Sequence, residues 1–244
     1  MSDAAVHHAE QAWNREQLAA PVGEPDFRLW RYPDPAVVLG CSQRALVTRE
    51  QCLERAGIDL VQRDAGGGAV LVGPWMLSAS VVLPVAHPLV TAGTVQSYRW
   101  LGELFVSVLC DAGVATEAIE PDAARQSQSK TDPLRWACFA GLSPWEVVVG
   151  RRKIVGLAQV RRRAGNLLVA GLLLEQPDWP LLCRAMGQPE AHAAGLAQAT
   201  VSCAELLGCA PDTDAIAAAL AHGLRHKLRL DDSRSGAHAT AIER

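Results

Sequence analysis

No apolar run in this chain approaches the roughly 20 residues that a membrane-spanning helix needs; runs such as Leu167 to Leu174 stop far short. The apolar core of a signal peptide is also missing, because Met1 to Ala20 carries His, Glu, Gln and Arg among its alanines. Neither sign of charge is in excess. A formal net charge of -3 provides no strong global field toward nucleic acid or a membrane surface. The seven cysteines (41, 52, 110, 138, 183, 203 and 209) form no Cys-x-x-Cys pair and no regular framework. An odd count without a framework predicts mostly buried thiols, with one or two reactive at most, in an intracellular chain. The close histidine pairs are His7-His8 and His222/His226. The second is spaced i,i+4 on an expected helix, but no Cys, Asp or Glu at ligand spacing joins it, and no metal is expected. These absences predict a soluble, cytoplasmic protein.

What is present suits a folded body. Hydrophobic residues make up 49% of the 244 positions and charged residues 20%, which allows a sizeable core and excludes wholesale disorder. Residues 231 to 244 are expected to be a disordered tail. Residues 4 to 20 read as a helix ending before Pro21. Phe27 to Tyr32 and Ala36 to Gly40 read as strands, and Thr48 to Ala56 as a helix capped by Thr48 and ended by Gly57. Asp59 to Arg63 is a strand that runs directly into Gly66-Gly67-Gly68. Ala69 to Val72 and Leu77 to Leu83 follow, broken at Gly73-Pro74. The clearest helix is Thr94 to Ala112, whose apolar residues recur every three or four positions. Residues 122 to 134 look like a surface loop. Glu146 to Val149 and Ile154 to Gln159 are two strands joined by Gly150-Arg151-Arg152, and Leu167 to Leu174 is another. Short helices are expected around 179–186 and 200–207, and a longer one over Thr213 to Leu228 with Asp212 as its cap. Hairpins outnumber βαβ units and no internal repeat is apparent. The order predicts an α+β fold with mixed, largely antiparallel sheets and packed helices.

Three places could carry chemistry. Gly66-Gly67-Gly68 permits a tight turn and close backbone approach to a ligand, and its amides could bind a phosphate or a carbonyl oxygen. It also reads as an ordinary hairpin loop. It is not a Walker loop, since no Gly-Lys-Ser/Thr follows, nor a dinucleotide fingerprint, since a strand follows it. Lys153 enters an apolar strand beside Gly156 and Ala158, where it could face a cleft and hold a carbonyl or phosphate oxygen. By itself it is more simply a hairpin-turn lysine. Cys138 sits at a loop-to-strand junction, where a thiol is often accessible and a nearby lysine would favour the attacking thiolate. By itself it is more simply a small buried hydrophobe. No Ser/His/Asp arrangement is readable. Arg151, Arg152, Lys153, Arg161, Arg162 and Arg163 place six basic residues within thirteen positions. They read equally as a solvated hairpin or as a docking site for an acidic partner or a phosphopantetheine-bearing carrier. Aromatic interleaving is absent, so nucleic acid is not expected.

Taken together, the segments resemble the lipoate–protein ligase A / octanoyltransferase (LipM-type) family, which shares a catalytic fold with biotin ligases. The matching stretches are RYPDPAVVLGCSQ (Arg31 to Gln43), QRDAGGGAV (Gln62 to Val70), TVQSYRWLGELFVSVLCDAG (Thr94 to Gly113), WACFAGLSPWEVVVGRRKIVGLAQVR (Trp136 to Arg161) and Ala199 to Gly208. The pairing of Arg63-x-x-Gly-Gly-Gly-Ala-Val with Lys153-Ile-x-Gly-x-Ala-Gln at this separation is specific. The resemblance implies one biotin/lipoate ligase-like catalytic domain over residues 1–230. It also places Arg63, Gly66, Gly67, Gly68 and Ala69 around the acyl or acyl-adenylate pocket, and Lys153 on the acyl carbonyl and phosphate. Gly156 and Ala158 would leave room for the acyl chain.

The family contains two chemistries. Ligases use ATP, with magnesium, to make a lipoyl-adenylate that the target lysine attacks. Acyltransferases need no cofactor and take octanoyl from a carrier thioester (acyl carrier protein), or from another lipoyl-type domain, on a cysteine. Cys138 matches that cysteine in its Ala-Cys-Phe context. With the chain ending soon after Leu228, where two-domain ligases continue, this implies an octanoyl/lipoyl transferase. Acceptors would be lipoyl domains of 2-oxoacid dehydrogenase E2 proteins or the glycine cleavage H protein. Two departures stand out. Many members have His-Asp where this chain has Val72-Gly73, and His-Gly where it has Ala170-Gly171. The amidotransferase branch, which moves octanoyl between lipoyl domains, also tends to lack these histidines. An ATP-dependent ligase and a non-catalytic lipoyl-domain-binding protein remain the alternatives.

Overall fold

In the computed structural model of the chain, residues 5–127 and 132–230 are described. The tail expected over 231–244 lies outside them. The elements run α1 (Val6–Gln17), β1 (Asp26–Arg31), β2 (Ala36–Leu39), α2 (Arg49–Ala56), β3 (Asp59–Gln62), β4 (Val70–Val72) and β5 (Met76–Leu83). They continue with α3 (Pro88–Thr91), α4 (Arg99–Asp111), β6 (Glu117–Ala118), α5 (Pro121–Ser127), β7 (Val147–Val149), β8 (Arg152–Arg161) and β9 (Asn166–Leu173). Four helices close the described chain: α6 (Trp179–Ala185), α7 (His192–Ala199), α8 (Cys203–Leu207) and α9 (Thr213–Leu228).

The strands form a six-stranded sheet, β1-β5-β9-β8-β7-β6, and a three-stranded sheet, β3-β2-β4. Every neighbouring pair of the large sheet is antiparallel, and β2 with β3 is the parallel exception in the small one. All eight residues of β5 are buried, because both faces of the large sheet are covered. Leu77, Ala79 and Val81 point to the face carrying Leu101 and Phe105 of α4 and Leu220 and Leu224 of α9. Met76 of the same strand joins Trp30 and Leu173 on the other face, under Val37, Leu39 and Leu71 of the small sheet and Leu182 of α6. Each such large apolar side chain contributes about 1.5–3 kcal/mol by leaving water. The α+β architecture is therefore the expected one.

Local signals fix several boundaries. Thr48 and Gln51 form a reciprocal capping box at the start of α2, and Gly57 ends it in the left-handed conformation at φ 67°. The Asp212 carboxylate accepts the Ala215 amide at the start of α9.

Three expectations differ from the structure. The helix expected from Thr94 begins at Arg99. Gly93, at φ 96°, turns the chain first, and a short 3-10 turn at Gln96–Tyr98 precedes the helix. Part of the loop expected over 122–134 is α5, with Pro121 at its first position and Asp122 in its first turn. Helix α7 was not foreseen because Gly195 interrupts its pattern. That glycine lets Leu134 pack closely: a Cβ there would meet Leu134 Cδ1 at 2.7 Å.

Candidate active site

The site forms where the end of β3, the segment before β4, the segment after Leu134 and the start of β8 meet. The Ala69 amide donates to the Trp136 carbonyl at 2.8 Å, and the Cys138 amide donates back to the Ala69 carbonyl at 2.9 Å. These bonds tie the Trp136–Cys138 segment beside the glycine turn. They require Gly68, because a Cβ there would lie 2.6 Å from both the Cys138 nitrogen and the Trp136 oxygen. Gly67 adopts φ 98°, and its carbonyl packs so closely on Gly40 that a Cβ on Gly40 would meet it at 1.9 Å. The tight-turn requirement at 66–68 is thus met by backbone on both sides.

Arg63 follows β3 and is buried beneath this turn. Its Nη2 donates to the carbonyls of Gly66 at 2.9 Å and Gly68 at 3.1 Å and lies 3.6 Å from the Cys138 sulfur. Its Nε is buried without a hydrogen-bond partner among the described residues.

Lys153 is 1% exposed. Its Nζ donates to the Cys138 carbonyl at 2.8 Å, pairs with Glu146 Oε2 at 2.8 Å, and stands 5.5 Å from the centre of the Phe139 ring. Strict strand alternation would have sent Lys153 to the same face as Val155. A bulge prevents that: Val148 pairs with Lys153 but Val147 pairs with Val155. Ile154 and Val155 both enter the core against α4. Lys153 therefore turns to the face of Gly156 and Phe139. Glu146 accepts the Ser143 amide at 2.7 Å and the Leu157 amide at 3.2 Å. Burial raises its pKa, and Lys153 opposes that shift.

Two cavities meet at Cys138. One is a narrow cavity of about 50 Å³ running over the large sheet, lined by Arg63, Phe139, Gly156, Val169 and Gly171 among others. The second is a wide cleft of about 700 Å³ bordered by Gly66, Gly67, Gly68, Glu146 and Arg151. Cys138, Leu157 and Ala158 line both. Gly156 and Gly171 are direct partners across β8 and β9, so the floor of the narrow cavity lacks side chains there. A Cβ at Gly156 would sit 3.2 Å from Phe139. Val72 and Ala170 face this cavity as apolar residues. Lys153 lines neither cavity.

The remaining sequence candidates lie apart. Arg152 pairs with Glu205 and donates to the Thr200 carbonyl. Arg161 donates to Ser97 and to the Val90 carbonyl, and Arg162 pairs with Asp64. Most of the basic stretch is therefore engaged within the fold, while Arg151 borders the wide cleft. His7 and His8 meet Asp59 at 3.2 and 2.7 Å, and Arg49 holds the same carboxylate at 2.5 Å. That guanidinium already neutralises the one carboxylate of the cluster and disfavours a dication there. Among the other cysteines, burial pushes Cys52 up to about 11 and Cys203 up to about 12, values that disfavour the thiolate. Sequence reasoning missed Glu146. Its signal was an acid directly preceding an apolar strand, which is indistinguishable from a strand-end surface residue until Lys153 folds onto it.

The body is two-layered, with a cysteine at the mouth of a sheet-floored cavity. Residues 3–225 match the family model described as the lipoyl protein ligase A/B catalytic domain, and the chain belongs to that family. Octanoyltransferase LipM of Carboxydothermus hydrogenoformans is 31% identical over 67% of this chain and 58% of its own length. Octanoyltransferase LipM of Kyrpidia tusciae is 30% identical over 84% of this chain and 76% of its own length. The chain thus spans less than two thirds of the first of these relatives. Among solved structures, lipoate-protein ligase A bound with ATP superposes with a TM-score of 0.66 at 20% identity, over 91% of this chain and 81% of that one. The bi-partite lipoate protein ligase of Thermoplasma acidophilum, studied with its E2 lipoyl domain, gives 0.61 at 18% identity, over 92% and 80%. These likenesses establish the lipoate-ligase catalytic fold. Among the described residues, no helix is long and apolar enough to cross a membrane.

Proposed function

We propose that this protein transfers an octanoyl- or lipoyl-type acyl group from a thioester donor to a lysine of a lipoyl-accepting domain, through a thioester on Cys138. The observation that carries this reading is the position of Cys138: the residue lines both cavities, and its sulfur has the Arg63 guanidinium 3.6 Å away. The narrow cavity suits an acyl chain. The wide cleft suits the arm that delivers it and the lysine that removes it.

The Cys138 thiolate attacks the carbonyl carbon of the donor thioester. A new carbon–sulfur bond forms, the bond to the carrier sulfur breaks, and the carrier thiolate leaves and takes up a proton. The acceptor ε-amine then attacks the acyl-cysteine. The amide bond forms, Cys138 leaves as thiolate, and the amine proton passes to solvent. The Ala69 and Cys138 amides are already engaged by the Trp136 and Ala69 carbonyls. Arg63 and the amides of Gly66, Gly67 and Gly68 are left for the developing oxyanion. Lys153 acts as a positioning residue, holding the Cys138 carbonyl and thereby the peptide that carries the sulfur. The acceptor class is the lipoyl domain of 2-oxoacid dehydrogenase E2 proteins or the glycine cleavage H protein, with acyl carrier protein as one donor. The LipM relatives and the solved ligase–lipoyl-domain system support this assignment.

An ATP-dependent ligase is the second reading, favoured by the fold shared with a ligase solved with ATP. The wide cleft has the volume for a nucleotide. However, Glu146 on that cleft is held by Lys153 in a buried pair and is not presented to magnesium.

The test is incubation with octanoyl carrier protein followed by intact-mass spectrometry. One octanoyl group should appear, should map to Cys138, and should move to an added lipoyl domain. No adduct, or an adduct that persists in Cys138→Ala, would overturn the mechanism. Lipoate-dependent pyrophosphate release surviving in Cys138→Ala would establish the ligase instead.

A further inference from the structure

Arg63 is a buried cation without a fixed anion. Among the described residues its Nε has no hydrogen-bond partner and no carboxylate lies within ion-pairing distance of it. A lone buried charge is costly, so the groups around it decide what balances it. The charged or titratable side chains lining the narrow cavity are Glu10, Arg15, Tyr32, Arg63, Asp64 and Cys138. Arg15 and Asp64 pair with one another, and Arg44 and Arg162 hold the same carboxylate. Glu10, Tyr32 and Cys138 remain for Arg63.

Glu10 is 3% exposed and accepts the Tyr32 hydroxyl at 2.8 Å. Burial raises its carboxyl to about 7, and the Arg63 charge works against that rise. Burial also holds Tyr32 well above the usual tyrosine range, so it stays neutral. Tyr98, which feels Arg63 and Cys138 from the wide cleft, is raised by burial too. The other charges nearby are committed: Lys153 to Glu146, and His7, His8 and Arg49 to Asp59 at the start of α1. One cation is therefore shared by two groups that can be anionic, the Glu10 carboxyl and the Cys138 sulfur 3.6 Å from Nη2. With both ionised the buried site is net negative, and with neither it is net positive. Groups coupled in this way titrate as a pair.

We propose that Glu10 and the Cys138 sulfur share Arg63 as one counter-charge: Glu10 holds a proton while the sulfur is a thiolate, and becomes the anion when the sulfur is acylated. This deepens the acyl-transfer reading and rests on it for the two steps that follow. In the first, Cys138 thiolate, protonated Glu10 and the donor thioester become acyl-cysteine, Glu10 carboxylate and carrier thiol. In the second, acyl-cysteine, Glu10 carboxylate and the acceptor amine become amide, Cys138 thiolate and protonated Glu10. Each proton passes by way of solvent, and the charge beside Arg63 is the same before and after each step. Glu10 is a positioning residue that acts through Arg63 and touches no reacting atom.

The test measures alkylation of Cys138 by iodoacetamide, mapped by peptide mass spectrometry, against pH. In Glu10→Gln the midpoint of the profile should fall by about one pH unit, a tenfold gain in reactive thiolate below the midpoint. Tyr32→Phe removes the hydrogen bond that favours the Glu10 carboxylate, so it should shift the midpoint the same way by less. Added to Glu10→Gln it should change nothing further. A midpoint that is unchanged or raised in Glu10→Gln, or that falls again in the double variant, would overturn the proposal. Alkylation needs no acyl donor, so the transfer reading is judged apart. A lowered midpoint without an octanoyl adduct leaves the shared counter-charge standing and removes the transfer, and an adduct with an unmoved midpoint does the reverse.

Discussion

Arg63 and Cys138 lie 75 positions apart in the chain, yet the Arg63 Nη2 stands 3.6 Å from the Cys138 sulfur. The same nitrogen donates to the carbonyls of Gly66 and Gly68, so one guanidinium fixes the glycine turn and faces the thiol. A lysine ammonium sits on a different stem and is a compact point charge without the planar guanidinium that fills this place. Arg63→Lys is therefore expected to slow acylation of Cys138 by about a hundredfold, comparable with losing an oxyanion-hole donor. Stopped-quench mass spectrometry on protein shown folded by circular dichroism measures this, and an unchanged rate would remove Arg63 from the chemistry.

The Lys153–Glu146 pair predicts a non-additive stability pattern. Lys153→Met leaves Glu146 buried without its cation and should destabilise the fold by about 3–5 kcal/mol. Adding Glu146→Gln should recover much of that loss, although the Cys138 carbonyl still lacks its donor. Burial raises the Glu146 pKa, so the single variant should be closer to native stability at pH 5, where the carboxyl is more readily neutral, than at pH 8. Urea denaturation of the four proteins of the cycle decides the point.

Gly68→Ala is expected to disrupt the site more than the methyl's size suggests. The new Cβ would lie 2.6 Å from backbone atoms of Trp136 and Cys138, which cannot rotate away. Cys138 must move, so cysteine acylation should be lost. A crystal structure of the variant should show the Ala69–Trp136 bond broken. Retained acylation would mean that the hydrogen bonds tying Trp136–Cys138 to Ala69 are not required.

Glu10 predicts the pH dependence of stability. Burial raises its carboxyl to about 7 despite the hydrogen bond from Tyr32. The folded state therefore holds its proton more tightly than the unfolded state. The resulting stabilisation is complete below about pH 4.5 and is lost as pH rises through about 7. The span corresponds to an effect on the order of 3 kcal/mol. Glu10→Gln should flatten this slope and be more stable than the native protein at pH 8. Parallel slopes in the two proteins would show that Glu10 is not buried with its proton.

Much of the fold was legible because its signals are local. The capping box of Thr48 and Gln51, the left-handed Gly57, the β5 pattern and the Asp212 cap each act within a few residues. Helix α7 was not legible, because Gly195 interrupts its pattern at the place where Leu134 packs against it.

For the site, the sequence alone determined which residues were worth attention: Gly66 to Gly68, Arg63, Cys138, Lys153, Gly156 and Ala158, through spacing and family resemblance. It could not decide how they divide the work. A single-residue bulge in β8 turns Lys153 away from the core against α4 and onto Glu146 and the Cys138 carbonyl. Register makes Gly156 and Gly171 partners and so opens the narrow cavity. The chain path brings Glu10 and Asn14, far from every motif, to the lining of that cavity. Strand register and bulges depend on pairing between distant segments, so they are decided only when the sheet assembles.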